Sequence, residues 1–186
     1  MPGPGDRLYS DANLDALMAS LKNMGAGNVI WHDLGLNQFI KNMKVLDKTW
    51  VQVGIVGAQA EAPSGDGRLT LGEVAHINEF GSRAANIPAR HFVQGTVTPF
   101  KANAEARQIM NGVMNFEDPT EALHEAGRRF AEEIRDRIYR GDFAANAAAT
   151  VLRKGFDHPL MDTSRLADAV THELVPDGEG DAEEWR

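Results

Sequence analysis

Apolar residues along this chain fall into short runs whose period changes from segment to segment. Leu14, Leu17, Met18 and Leu21 recur at helical spacing behind a capping stretch, Asp11 to Asn13, with Gly25 and Gly27 as the stop. A second helix is predicted from Leu36 to Leu46, with Phe39, Ile40, Met43 and Leu46 on one face. From Trp50 to Val56 the period becomes two: Val51, Val53 and Ile55 alternate with Gln52 and Gly54, which reads as a strand. Thr70 heads a helix through Phe80, with Glu73 at the reciprocal capping-box position and Gly81 as its left-handed C-terminal residue. Thr98-Pro99 opens a helix to about Met114, and Asp118-Pro119 repeats that signal. Between Thr120 and Tyr139 the stripe Leu123, Phe130, Ile134, Ile138 faces away from Glu132, Glu133, Arg135 and Asp136, and Gly141 closes the helix. Asp162 or Thr163 would cap a short helix through Ala167. Ala169 to Val175 then alternates Val170, His172 and Leu174 against Thr171, Glu173 and Val175, a final strand.

The remaining segments are punctuation. Residues 57–68 hold Gly57, Gly65, Gly67 and Pro63 and read as a long loop, functional or mobile at that length. Residues 142–159 are alanine-rich and then loop-like. Residues 1–10 are rich in Pro and Gly, a flexible arm. Residues 177–186 set Asp177, Glu179, Asp181, Glu183 and Glu184 against Arg186 alone, a disordered acidic tail. This leaves residues 11–176 as a single domain without internal repeats. A strand, then helices, then a returning strand predicts an α+β fold: a small, mostly antiparallel sheet with helices packed on one face, plus an N-terminal helical segment.

Composition narrows the function classes. The 186 residues are 42% hydrophobic and 25% charged, ordinary for a globular chain with a core. No stretch reaches the roughly 20 apolar residues that cross a bilayer, so no membrane partner is expected. The start Met1-Pro2-Gly3-Pro4-Gly5-Asp6 lacks the apolar region of a signal peptide. The absence of cysteine removes disulfide and thiolate chemistry and fits synthesis in a reducing cytosol. A formal net charge of −8 argues against binding nucleic acid by neutralising phosphates. It does not exclude a ring through which DNA slides, because acidic walls would repel DNA, but that step depends on the fold and the ring and not on charge alone. The adjacent basic pairs Arg128-Arg129 and Arg153-Lys154 are too small for a nucleic-acid patch.

Candidate chemistry is sparse. His76 and Glu79 lie three residues apart on a predicted helix, but two ligands are too few for a zinc site and no His-Glu-x-x-His is present. No Gly-x-Ser-x-Gly elbow exists, and Gly65-Asp66-Gly67 lacks the lysine of a phosphate loop. The structural reading is that His76 and Glu79 bond each other or nearby backbone, Phe80 packs inward, and Gly81 allows the turn. Pro88 stiffens the next loop, Phe92 anchors it, and Arg90 offers a planar five-donor fork suited to a carboxylate.

Three blocks nevertheless stand out. They are His76-Ile77-Asn78-Glu79-Phe80-Gly81, then Ile87-Pro88-Ala89-Arg90-His91-Phe92, then the downstream run from Lys154-Gly155 through Pro159, Leu160, Asp162, Thr163, Ser164 and Leu166. In this order and spacing the chain, over roughly residues 50 to 175, resembles the tail-completion or head–tail joining (neck) proteins of long-tailed bacteriophages. Minor tail protein Z of lambda-like phages and the virion-morphogenesis proteins of Mu-like phages are of this kind. Three departures are visible: Asn78 stands where the family has His directly before Glu, His91 where it often has Pro, and Ser164 where it usually has Gly. The resemblance implies a structural virion protein without enzymatic activity, cofactor or metal, assembled in the bacterial cytoplasm. It would form a ring, expected to be sixfold, around the DNA channel, touching its own copies and the neighbouring neck and tail-tube proteins. A tail terminator or a stopper ring is the alternative within that biology. From other classes, the alternatives are a small metal-dependent hydrolase using His76, Glu79 and His91, and a DNA-binding accessory protein.

Overall fold

The computed structural model describes residues 35–65 and 67–176, together with Ala16, Ala19 and Ser20, which are helical. The predicted arm, the rest of the first helix and the acidic tail lie outside the described residues. The nine elements between Leu36 and Pro176 are organised by one long helix and one pair of strands. They are α1 (Leu36–Lys48), β1 (Thr49–Gly54), α2 (Ala58–Glu61), α3 (Leu71–Phe80), α4 (Pro99–Met114), α5 (Pro119–Arg140), α6 (Ala148–Lys154), α7 (Arg165–Asp168) and β2 (Thr171–Pro176).

Helix α5 forms for local reasons at both ends. Asp118 accepts the Thr120 N–H at its start, Pro119 fixes the first turn, and Gly141 ends it in the left-handed conformation. Its apolar stripe, Leu123, Ala126, Phe130, Ala131, Ile134 and Ile138, is buried as the spacing predicts. That stripe packs across β1 and β2, which pair antiparallel from Thr49↔Pro176 to Gly54↔Thr171. Phe92, Ala131, Ile134, Ile138, Ala167 and Val170 form the centre of the core, and Val53 and Ile55 close on it from the β1 side. The fold is α+β with a small antiparallel sheet, as the order of elements predicts.

The other helices buttress this centre. Thr98 caps α4, which buries Gly112 and Val113 and is tied to α5 by Arg129 donating to Glu105. Helix α1 buries Ile40 and Met43, and its Asn42 amide donates to the Glu117 carbonyl at 2.9 Å.

Two predicted loops are structured. Residues 57–68 contain α2, which packs on α3 so closely that a Cβ at Gly72 would lie 3.1 Å from Ala60. Pro63 bridges Thr70, and Arg165 donates to the Pro63 carbonyl, so the segment is folded back onto the domain. Within the alanine-rich stretch, Ala148–Lys154 is helix α6, closed by Gly155 at φ 80°.

Candidate functional site

The first two sequence blocks build one clamp. Helix α3 begins with a complete capping box, Thr70 accepting from the Glu73 N–H while the Glu73 carboxylate accepts from the Thr70 N–H. That fixes the helix phase and so decides what its last turn presents. Glu79 points inward and is buried, whereas Phe80 is 38% exposed and lies against His76 in a tilted contact, ring centroids 4.8 Å apart. The expectation that Phe80 packs inward is therefore corrected. His76 and Phe80, four residues apart, share the solvent face.

Gly81 then reverses the chain at φ 79° and ψ 173°, outside the left-handed helical well that the sequence predicts. Glycine is required here twice over: a Cβ would also sit 2.8 Å from the Ala89 nitrogen and 2.9 Å from the Ile87 carbonyl oxygen. The close approach is held by a two-way backbone bridge between Ser82 and Ile87, 2.9 Å in each direction. Pro88 and Ala89 follow outside any helix or strand, and Arg90 returns to the helix end, its N–H donating to the Asn78 carbonyl at 2.8 Å.

The Glu79 carboxylate accepts the backbone N–H groups of Val93 and Gln94, 2.9 Å each, and so holds the turn that plants Phe92 in the core. The exposed His91 Nδ1 stands 4.0 Å from the same carboxylate. With Glu79 so engaged, Arg90 pairs elsewhere, so the tie of Arg90 to Glu79 that the resemblance implies is not made within the chain. Its Nη1 donates to Asn78 Oδ1 at 2.7 Å and its Nη2 to Asn146 Oδ1 at 3.3 Å. Asn146 donates in turn to Asp157 Oδ1 through its backbone N–H (3.1 Å) and its side chain (2.9 Å). Asp157 belongs to the third block. The relay Asn78–Arg90–Asn146–Asp157 therefore joins all three blocks. Burial lowers the Arg90 pKa from its ordinary value, opposed by the field of Asp157. The Arg90 Nε is buried with no hydrogen-bond partner.

Within the third block, Lys154 donates to the His158 carbonyl at 2.8 Å and lies over the Phe156 ring. Burial lowers its pKa from the usual lysine value. Pro159 and Leu166 are buried, and Leu160 takes φ 63°. Neither Asp162 nor Thr163 caps α7, which corrects the sequence expectation. Asp162 instead faces Arg153 at 3.6 Å, and Ser164 occupies the cap position at φ 60° without a side-chain cap bond. This is a backbone state glycine adopts freely. His91, at φ 45°, could not be proline, whose ring holds φ near −65°.

Beside the clamp lies an open groove of about 580 Å³, walled by Phe80, Ile87, Pro88, Asn146 and Ala147. A smaller hollow of about 270 Å³, beside Gly95, Lys101, Glu133 and Arg137, has walls tied by the Lys101–Glu133 ion pair and by Arg137 donating to the Gly95 carbonyl. Among the described residues, no three or more His, Asp or Glu side chains are grouped to hold a metal ion. Among them too, no helix is long and apolar enough to cross a membrane.

Two partners escaped the sequence reading. Asn146 sits in an alanine run, where a lone amide was the only signal. His124 and His172, far apart in sequence, meet between α5 and β2. Compared with known proteins, the chain matches no family model, no curated protein and no solved structure.

Proposed function

We propose that this chain is a structural subunit of a phage neck, acting in tail completion and head–tail joining as one member of a closed ring around the DNA channel. The observation that carries the reading is the relay. The three blocks by which the chain resembles neck proteins form one hydrogen-bonded unit, Asn78–Arg90–Asn146–Asp157, rather than three unrelated turns. Their residues serve architecture: Glu79 binds backbone N–H groups, Gly81 permits a close return, and Arg90 ties elements together.

The surface supports the same reading. Phe100 on α4 and Leu152 on α6 are 84% and 86% exposed, and Met114 and Phe156 are exposed as well. Ring subunits use different patches on their two sides, so that contacts close by rotation. A net charge of −8 suits a channel wall that DNA passes without sequence-specific contact. Ser164 at positive φ stands where the family usually has glycine, which favours the resemblance; His91 at positive φ stands where it often has proline, which weighs against it locally.

The test is genetic. A phage lacking the chain should accumulate filled heads and separate tails, and the chain supplied in trans should restore joined particles. Joined, infectious virions at normal yield without the chain would refute the assignment.

A further inference from the structure

The second finding lies at the junction of α5 and β2, away from the clamp. His124 Nδ1 and His172 Nε2 are 3.2 Å apart, and the rings meet edge to face with centroids 5.4 Å apart. His172 packs directly against α5: a Cβ at Gly127 would come within 2.4 Å of its Cδ2. A contact this short between two imidazoles requires one nitrogen to donate and the other to keep its lone pair.

The surroundings decide which charge state the pair tolerates. On α5, Arg128 and Arg135 both act on His172 with positive charge, and the nearby acids Glu121 and Glu125 are engaged by Arg128 and Arg129. Arg135 is fixed by donating to the Val170 carbonyl at 2.7 Å. On the other side of β2, strand β1 carries no titratable side chain. On β2 itself, Glu173 turns towards Gly57, and on α7, Asp168 accepts from Tyr139. Among the described residues, the charges that lower the His172 pKa are those of His124, Arg128 and Arg135, all cationic when protonated.

We propose that the His124–His172 contact is an acid-sensitive latch between α5 and β2. In its neutral form the pair shares one N–H. The first added proton is opposed by Arg128 and Arg135. The second removes the remaining lone pair and sets two cations side by side. Consistent with this, burial, followed by the charge of His124, lowers the His172 pKa from its ordinary value. The sign follows: the unfolded chain binds the proton more readily, so stability is full above the ordinary histidine range and falls as pH drops through it.

The direct experiment is an NMR titration of the imidazoles in the full chain, with thermal melts of wild type and of His124→Gln and His172→Gln. The latch requires His172 to titrate below an ordinary histidine. It also requires a melting temperature that drops between about pH 7.5 and pH 5, with the drop roughly halved or more in either variant. If His172 titrates at or above the ordinary value, or if folded variants keep the full drop, the latch is overturned. If the variants do not fold, the wild-type titration decides alone.

Discussion

Asn78 and Arg90 meet twice: the Arg90 backbone N–H donates to the Asn78 carbonyl at 2.8 Å, and its guanidinium donates to the Asn78 side-chain oxygen at 2.7 Å. Asn78, which stands where the neck proteins this chain resembles usually have histidine, is thus the acceptor for the arginine of the next block. Because the guanidinium is buried and reaches two amides, Arg90→Ala should lower unfolding free energy by about 2–4 kcal/mol. Arg90→Lys, with one point donor in place of a planar fork, should fall between. Urea unfolding of the three proteins measures this; an Arg90→Ala protein as stable as wild type would dissolve the relay.

Glu79 anchors the turn before the core through two charged-acceptor hydrogen bonds. Glu79→Ala leaves the Val93 and Gln94 N–H groups without their acceptor and should cost about 2–4 kcal/mol. Glu79→Gln keeps one acceptor oxygen and should cost less. Hydrogen exchange at Val93 and Gln94 should quicken first in both variants.

Backbone conformation makes two predictions of opposite sign. Ser164 is held at φ 60°, so Ser164→Gly should raise stability by up to about 1 kcal/mol. At His91 the φ is 45° and the N–H donates to the Glu79 carbonyl. His91→Pro is therefore excluded twice over and should destabilise by about 3 kcal/mol or more. Thermal melts of the two variants should move in opposite directions.

Gly81→Ala meets both a positive φ and backbone atoms within 3 Å of the new Cβ. Neither can yield without moving Ile87 and Ala89, so a loss of about 1–3 kcal/mol is expected, read by calorimetry.

The scaffold was legible where local signals agree. Helix α5 has a cap, a proline, a clear stripe and a terminal glycine, and the structure keeps them all. The two strands were visible by alternation, but their pairing links distant parts of the chain and has no local mark. Helix α6 was missed because alanines carry no amphipathic stripe and Ala147 offers no capping side chain. Helix α2 is a single turn between Gly57 and Pro63, which read as breakers. At the site, Glu79 was legible as structural, but its partners were not. An acid beside an arginine suggests a pair, and only the fold reveals that two backbone N–H groups take the carboxylate first. Asn146 then supplies an acceptor from another element, which no spacing rule could have indicated.

The proposal that this chain is a neck subunit is tested most directly by cryo-electron microscopy of the intact particle, with the fold fitted into the density between head and tail. A closed ring of this chain around the DNA channel is expected, and the ring's level distinguishes tail completion from a terminator or a stopper. A particle whose neck density is fully explained by other chains would contradict it.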